Sequence, residues 1–299
     1  MSWIILGLAS HLSWAFVNVG DKYVVGNRVK NEYVYMIWIT MLGILSVLII
    51  PFIDFQFHLS ARQFLLLLFP SALYVFGGFP YIHALKIEEV TRINIWWNLI
   101  PLFSLVFGYV LFGEVLSGHQ LIAFAILLLS AIVASLHANG KSISFSRAFW
   151  FMMMATFCYA LYAVIVHEVS KTMNLGSIFV WYHIFAFFWA GSALLIPNIR
   201  RAFAEEVLAL SPKTGALIFG ISFIDHLGVF FSQWAITLAS AALVFSIEGS
   251  QVLFVFLMTI FISRKNKNLL REQFDSRNLF LKICAVVLMF VGIGVLSVG

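Results

Sequence analysis

Long hydrophobic stretches alternate with short polar connections along the whole chain. A helix needs about 20 predominantly apolar residues to cross the hydrocarbon core of a bilayer. On that measure the pattern predicts an all-α integral membrane protein with ten transmembrane helices, each packed antiparallel to its sequence neighbour. Their expected limits are residues 3–24, 33–53, 63–85, 93–113, 119–138, 148–169, 177–197, 214–238, 241–263 and 278–298.

The ten predicted helices divide into two units of five, with expected domains at residues 1–140 and 148–299. A five-helix unit ends on the opposite side of the membrane from its start, so a second copy would enter the membrane inverted. A shift of 151 residues places Gly77 on Gly228 and repeats the hydropathy profile. Inverted repeats are typical of secondary transporters, whose substrates bind near the midplane between the halves.

The composition agrees with a membrane protein. Hydrophobic residues make up 62% of the chain and charged residues 10%, against about 25% charged residues in a soluble domain. The net charge of +5 does not indicate nucleic acid, because the basic residues lie in short connections between apolar runs. Cys158 and Cys284 lie inside apolar runs, which predicts buried thiols and neither a disulfide framework nor a metal site. Residues 3–20 lack a basic leading segment, so we expect a retained first helix rather than a cleaved signal.

Basic residues are unevenly shared between the two sets of connections. One set holds only Arg62 and Lys171, whereas the other holds most of the lysines and arginines, including those of the longest connection, residues 264–277. By the positive-inside rule, the richer set is cytoplasmic. The sequence therefore predicts a multi-pass protein of the cytoplasmic (inner) membrane with both termini extracytoplasmic.

The predicted fourth helix is the most informative stretch. Residues 93–113 carry no formal charge, yet Asn94 and Asn98 lie one helical turn apart and share a face. Pro101 cannot donate a hydrogen bond to the carbonyl of Trp97, four residues earlier, so it predicts a kink. A freed carbonyl is tolerated at membrane depth only where protein or water satisfies it. This helix is therefore expected to line a polar space.

Pro101 is followed by an apolar run that ends in Gly113-Glu114. This pattern resembles the fourth-helix signature of the EamA family in the drug/metabolite transporter superfamily, and the resemblance extends over essentially the whole chain. In the second half, Val252 and Lys265 stand where the repeat would place the proline and the glutamate. The resemblance implies a membrane transporter of small metabolites, with a structural capping or pairing role for Glu114.

Polar side chains recur on one face of several predicted helices. In the first helix the residues at spacings of four, three, four and three are Gly7, His11, Trp14, Asn18 and Asp21. Such a face either forms a tight seam between helices or lines a cavity, and a histidine, an asparagine and an acid together favour the cavity. The predicted lining of the substrate cavity is Trp14, Asn18, Tyr74, Tyr81, Asn94, Trp97, Asn98, Tyr159, Gln233, Glu248 and Gln251.

Asp225 and Glu248 are acidic residues within predicted spans. An ionised carboxylate at that depth costs roughly 3 kcal/mol or more, so each acid pairs, takes up a proton or faces water. Both are predicted proton-coupling sites, with Glu248 also in contact with substrate; a neutral acid that joins two helices is the structural alternative. The 151-residue shift sets them against Tyr74 and Trp97, and acids opposite aromatic rings suit a cationic or zwitterionic group.

Four charged residues join the predicted third and fourth helices, namely Lys86, Glu88, Glu89 and Arg92. Their mixed signs fit a solvated loop at the level of the lipid headgroups. The alternative hypothesis is an ion pair that gates access to the cavity.

The sequence carries no recognisable enzymatic motif. His167-Glu168 begins like a zinc-protease helix, but Lys171 stands where the second histidine is required. No phosphate-binding or dinucleotide-binding glycine loop is present, so no cofactor is expected and transport would be driven by a gradient. We predict a secondary transporter of a small organic metabolite, such as an amino acid or an amine, with membrane lipids and a coupling proton as further partners. A flippase for an amphipathic or lipid-linked molecule is the alternative, and a membrane scaffold or sensor without transport is a third.

Overall fold

The computed structural model describes residues 2–113, 117–139, 142–265 and 276–298. Most of these residues are helical, and two short strands form the remaining regular structure. The elements are α1 Ser2–Asn27, α2 Glu32–Leu42 continued by a 3₁₀ helix Gly43–Phe52, α3 Ala61–Ile87, α4 Val90–Trp96, α5 Leu99–Phe112, α6 Gly118–Ala134, β1 Leu136–Asn139, β2 Ser142–Phe145, α7 Ala148–Ser170, α8 Leu175–Ser192 continued by a 3₁₀ helix Ala193–Leu195, α9 Pro197–Ala209, α10 Pro212–Leu238, α11 Ala241–Phe245, α12 Gly249–Lys265 and α13 Ser276–Val298.

Within the described ranges, nine helices or consecutive helix pairs are long and apolar enough to cross a membrane, judged by length and composition. A further apolar helix, Leu121–Ala134 within α6, is shorter than these nine. Large hydrophobic side chains such as Ile5, Phe69 and Phe261 are exposed on the outside of the bundle, as a lipid surrounding favours. The chain is therefore a multi-pass membrane protein, which confirms that part of the prediction.

The predicted fifth helix ends earlier than expected, at Ala134. Strand β1 follows it and pairs antiparallel with β2, with Leu136 opposite Phe145 and Asn139 opposite Ser142. The prediction of helix as far as residue 138 is wrong because a hairpin signal competes with it. Only two residues separate the strands in the sequence, and the first of them is a glycine, which two-residue hairpin loops favour.

An additional helix, α9, lies where the sequence pattern predicts only a connection. Pro197 stands in its first turn, where the backbone N–H has no helical partner in any case. Ile199 and Phe203 lie one turn apart and pack against the cluster formed by α2, α3 and α8. Arg201 and Glu205 form an exposed ion pair along the helix. This separation of apolar and charged residues is typical of a helix that lies at the membrane surface.

Two of the predicted spans are interrupted by breaks in the helix. The fourth consists of α4 and α5, with the break at Trp97 and Asn98, and the ninth consists of α11 and α12, with the break at residues 246–248. Pro101 has no N–H to offer Trp97, whose carbonyl instead accepts a bond of 2.9 Å from the N–H of Ile100. The ninth span breaks without a proline, so the sequence pattern predicts only the first interruption.

The two halves of the chain pack against each other through long helix pairs. Helix α1 lies along α10, α3 lies along α7 and α6 lies along α13. Glycines permit the close approach in the first two pairs. A Cβ on Gly77 would stand 2.8 Å from Cys158 Cβ, and a Cβ on Gly228 would stand 2.9 Å from Trp14 Nε1. These crossings hold the halves together around a polar space.

A buried ion network closes one end of the bundle. It is formed by Lys22, Glu88, Glu89, Arg92 and Lys282, each of which is at most 6% exposed. Glu89 Oε2 lies 2.6 Å from Lys282 Nζ and 3.2 Å from Arg92 Nε. Lys22 Nζ donates to the backbone carbonyl of Glu88 at 2.6 Å. The network therefore joins α1, the connection between α3 and α4, and α13.

The structure separates the four charged residues that the sequence places between the third and fourth helices. Lys86 is exposed and lies 2.6 Å from Glu32 Oε2. Arg92 is fully buried and donates to two carbonyl oxygens, at the end of α6 and the start of β1, at 2.7 and 2.5 Å. A solvated headgroup loop is therefore the wrong interpretation for Arg92 and its two glutamates, because α6 and α13 cover them.

Candidate functional site

A small cavity, which we call the central cavity, lies between the two halves beside both helix breaks. Its volume is about 70 Å³. Among the described residues that line it, none is a lysine or an arginine. The lining residues are Trp14, Val17, Asn18, Asp21, Met36, Ile39, Tyr74, Tyr81, Trp97, Ile100, Tyr159, Tyr162, Asp225, Val229, Phe245, Glu248 and Gln251.

The central cavity brings together most of the residues that the sequence singles out. Those that line it are Trp14, Asn18, Tyr74, Tyr81, Trp97, Tyr159, Asp225, Glu248 and Gln251. Asn94, Asn98 and Gln233 do not. Asn98 donates to the carbonyl of Ile95 in its own span at 3.2 Å, and Gln233 donates to Tyr162 Oη at 2.9 Å. The prediction for Asn98 assumes an unbroken helix, and the break at this residue turns its side chain back onto the chain.

Asn94 lies behind the cavity wall and joins the two halves by hydrogen bonds. Its Oδ1 accepts from Asn18 Nδ2 and from Gln251 Nε2, both at 2.8 Å. Its Nδ2 donates to the carbonyl of Val90 at 2.8 Å. Because both lone pairs of the amide oxygen are used, the orientation of Asn94 is defined by its partners. Asn94 therefore positions one lining residue from each half rather than lining the cavity itself.

Asp21 is a third acid of the central cavity, on the face of the first helix that the sequence predicts to line it, in addition to the two predicted proton-coupling sites. It is 1% exposed, and its two carboxylate oxygens accept hydrogen bonds from Tyr35 at 2.5 Å and from Tyr81 at 3.0 Å. Tyr81 Oη also lies 2.8 Å from Asn18 Oδ1. The sequence signal for Asp21 is its position three residues after Asn18, on the same face of the helix. The hydroxyl of Tyr81 thus lies between Asp21 and Asn18, and hydrogen bonds continue from Asn18 through Asn94 to Gln251 of α12.

An aromatic wall faces the acids. Tyr74 meets Tyr159 edge-on with 4.9 Å between ring centroids, and Trp97 lies 5.1 Å from Tyr81 and 5.2 Å from Tyr159. Tyr162, three residues after Tyr159, also lines the cavity, although the sequence pattern does not single it out. Aromatic residues therefore come from both halves of the chain. The predicted division, aromatics from one half and acids from the other, is too simple because α7 contributes tyrosines and α1 contributes an acid.

Asp225 and Glu248 reach the cavity from α10 and from the break before α12. Tyr74 Oη donates to Asp225 Oδ2 at 3.3 Å. Glu248 is 2% exposed, and among the described residues its Oε2 finds no hydrogen-bond partner. Buried polar atoms are nearly always hydrogen-bonded. This carboxyl oxygen is therefore placed to bind a ligand or a proton.

A second cavity lies on the other face of α10. Its volume is about 510 Å³, and it is lined mainly by apolar residues of α2 with its 3₁₀ continuation, α8 and α10. Its polar members are Ser46, Ser222 and His226. Asp225 and His226 thus face different cavities, as a rotation of about 100° per helical residue requires. Ser222 Oγ donates to the carbonyl of Ile39 at 3.2 Å, across the seam that separates the two cavities.

Residues 1–136 match a protein family described as the EamA-like transporter family. No curated protein matches the chain. Among solved structures, a crystal structure of a protein aligns with 99% of this chain and 96% of its own, with a TM-score of 0.62 and 14% sequence identity. At that identity the similarity concerns the fold alone. Glu114, within the stretch that carries the family resemblance in the sequence, lies outside the described residues.

Proposed function

We propose that this chain, which matches the EamA-like transporter family over residues 1–136, is a secondary transporter of a small organic solute with a positive charge. One observation carries the proposal. Asp21, Asp225 and Glu248 line one cavity, and the described lining includes no lysine or arginine. Buried carboxyl groups without a lysine or arginine beside them bind protons or a cationic ligand, and the aromatic wall adds cation–π attraction for an ammonium group. Amines and amino acids carry such a group.

Transport through the central cavity requires movement of the helices. The cavity of about 70 Å³ is smaller than a typical ligand pocket of about 300–1,000 Å³. The helices must therefore separate before a metabolite enters, and rocking of two halves around a central site provides such movement. The sequence offers no nucleotide-binding loop to drive it. Proton exchange at the three acids would couple the movement to a proton gradient.

We further propose ten spans arranged as two inverted repeats, residues 1–140 and 148–299, with Leu121–Ala134 as part of the fifth span. The helix breaks support this arrangement, because Trp97 and Glu248 are 151 residues apart, interrupt the fourth and ninth spans, and both line the central cavity. The end of the family match at residue 136 supports the proposed boundary.

Equivalent hydrogen bonds in the two units support the same arrangement. Lys22 Nζ donates to the carbonyl of Leu85 at 2.7 Å, near the ends of α1 and α3. His167 Nδ1 lies 2.8 Å from the carbonyl of Ile236, near the ends of α7 and α10. The acceptors Leu85 and Ile236 are separated by the same 151 residues, whereas the donors Lys22 and His167 are 145 residues apart. A basic group at a helix C-terminus stabilises its free carbonyls, so both units bind corresponding carbonyls with a basic residue of their first helix.

The orientation is tested by reporter fusions. Because basic connections are retained in the cytoplasm, we expect an extracytoplasmic C-terminus in the cytoplasmic membrane. A reporter that is active only outside the cytoplasm should be active when fused after Gly299 and silent when inserted within residues 266–275. The reverse pattern would show that the chain has the opposite orientation.

The function is tested with purified protein in liposomes under an imposed pH gradient. The panel comprises labelled primary amines, quaternary ammonium ions, zwitterionic amino acids and neutral sugars of similar size. We expect proton-driven flux of at least one positively charged or zwitterionic class, at least tenfold above protein-free liposomes, and no flux of sugars. Absence of flux for every charged class would contradict the proposal.

The second cavity favours the alternative, a flippase for an amphipathic or lipid-linked molecule. A hydrocarbon chain would occupy the apolar space of about 510 Å³ while its polar head lies in the central cavity. The two functions differ in a direct assay. Translocation of a fluorescent short-chain lipid in the same liposomes, without uptake of any soluble solute, would support the flippase.

A further inference from the structure

We infer that His11 and Glu248 share one proton when the central cavity is empty, and that a positively charged group of the substrate displaces this proton by pairing with the Glu248 carboxylate. The inference rests on the proposed transport of a cationic solute. It adds the residue pair at which solute and proton are exchanged, and it assigns a role to a histidine that lies behind the cavity wall.

A buried carboxyl oxygen without a partner marks this pair. Within the described part of the chain, Glu248 Oε2 makes no hydrogen bond, whereas the His11 ring interacts with Gln251 and with the backbone of Val244. The two side chains are 1% and 3% exposed, and His11 Nδ1 lies 3.7 Å from Glu248 Oε2. The same Nδ1 lies 3.3 Å from Gln251 Oε1. A small movement of either side chain would therefore bring the imidazole into hydrogen-bond distance of the Glu248 carboxylate, while Gln251 orients the imidazole ring.

Aromatic packing fixes the position of the imidazole. The ring of His11 meets Trp14 at 5.8 Å and Phe245 at 6.1 Å between centroids, both edge-on. Trp14 and Phe245 themselves line the central cavity. A group that enters the cavity beside Glu248 therefore displaces or shields the contact between the two members of the pair.

Among the described groups, His11 is the one basic side chain within 4 Å of Glu248. Phe245 of α11 lines the cavity, and Asn94 of α4 accepts from Gln251. The α13 side chains beside Gly249, namely Met289, Phe290 and Ile293, are apolar, and His226 on α10 faces the second cavity. The other titratable groups facing the central cavity are Asp21 on α1, Asp225 on α10, Tyr74 and Tyr81 on α3, and Tyr159 and Tyr162 on α7. None of these groups carries a positive charge in any protonation state.

Charge balance then determines the exchange. With one shared proton the pair is neutral, as an imidazolium beside a carboxylate or as a neutral imidazole beside a carboxylic acid. Loss of that proton without replacement would leave a buried unpaired carboxylate, which is strongly unfavourable. When an ammonium group pairs with Glu248, the proton leaves and the site remains neutral. One cation bound is therefore one proton released.

The test counts protons released on binding of permanently charged probes, choline and phenyltrimethylammonium, to the purified full-length protein. Calorimetric titrations in buffers with different heats of ionisation give that number across a range of pH. We expect about one proton per bound cation at neutral pH, and no measurable binding of 3,3-dimethylbutanol, the neutral counterpart of choline. His11→Gln should retain cation binding within tenfold but move the pH midpoint of proton release downward by at least one unit, because the imidazole no longer helps to hold the proton. The second variant, His11→Asn, should give the same result as His11→Gln.

His183→Gln is the matched control. His183 is also buried, but its Nδ1 lies 2.7 Å from the carbonyl of Phe179 in its own helix and its ring packs against His226. Its substitution should leave the proton count and the pH midpoint unchanged. An unchanged pH profile in both His11 variants, or binding of both cations without proton release, would overturn the inference while leaving the proposed transport intact. Failure of the wild type to bind either cation would also overturn it, whereas absence of flux for every charged class in the liposome panel would remove the proposed function itself.

Discussion

Glu248→Gln is expected to abolish proton-driven transport of the cationic solute. The amide keeps the shape of the side chain but can neither pair with a positive charge nor exchange a proton. Removing one partner of a buried charge pair costs about 2–4 kcal/mol, which corresponds to about 30- to 700-fold weaker solute binding. Flux in liposomes under an imposed pH gradient, measured for the best solute of the panel, checks this result.

Asp225→Asn is expected to change the pH dependence of flux more than the affinity for solute. Tyr74 Oη, which donates to Asp225 Oδ2 at 3.3 Å, keeps an acceptor in the amide oxygen. Glu205→Gln is the control for both variants, since this acid is exposed on α9, pairs with Arg201 and is not among the residues that line the central cavity. If both cavity amides transport with unchanged rate and unchanged pH dependence, these acids are structural.

Arg92→Leu is expected to lower the free energy of unfolding by about 3–5 kcal/mol, because its removal takes one positive charge and several hydrogen bonds out of a buried ion network. The guanidinium contacts Glu89, two backbone carbonyls and Asn278, so leucine replaces none of its hydrogen bonds. Denaturation in detergent followed by tryptophan fluorescence measures the change.

Arg201→Leu is the matched control for this prediction. The Arg201 side chain is 84% exposed and its ion pair with Glu205 lies on the surface of α9, so its loss should change stability by less than about 0.5 kcal/mol. Equal stability of the two variants would show that the buried ion network contributes nothing measurable to folding.

Local pattern was enough to predict nine of the membrane spans among the described residues and most of the lining of the central cavity. Hydrophobic runs reveal spans because the bilayer requires about 20 apolar residues per helix. Polar residues within such runs are expensive to bury against lipid, so Asn18, Asp225, Glu248 and Gln251 could be recognised from their positions alone. Pro101 likewise predicts the break at Trp97, because proline has no backbone N–H to donate to the carbonyl four residues earlier.

Contacts between distant segments decided the rest. The break before α12 occurs without a proline. The side chain of Asn94 is held by residues of α1 and α12. The carboxylate of Asp21 is held by hydrogen bonds from tyrosines of α2 and α3. From the sequence, the charged residues after α3 are interpreted as a surface loop. In the structure, α6 and α13 cover them. Helical spacing shows which side chains share a face. Whether those side chains are buried, and what they bind, depends on which helix packs against that face. That partner is set by packing across the whole bundle, so only the tertiary structure determines it.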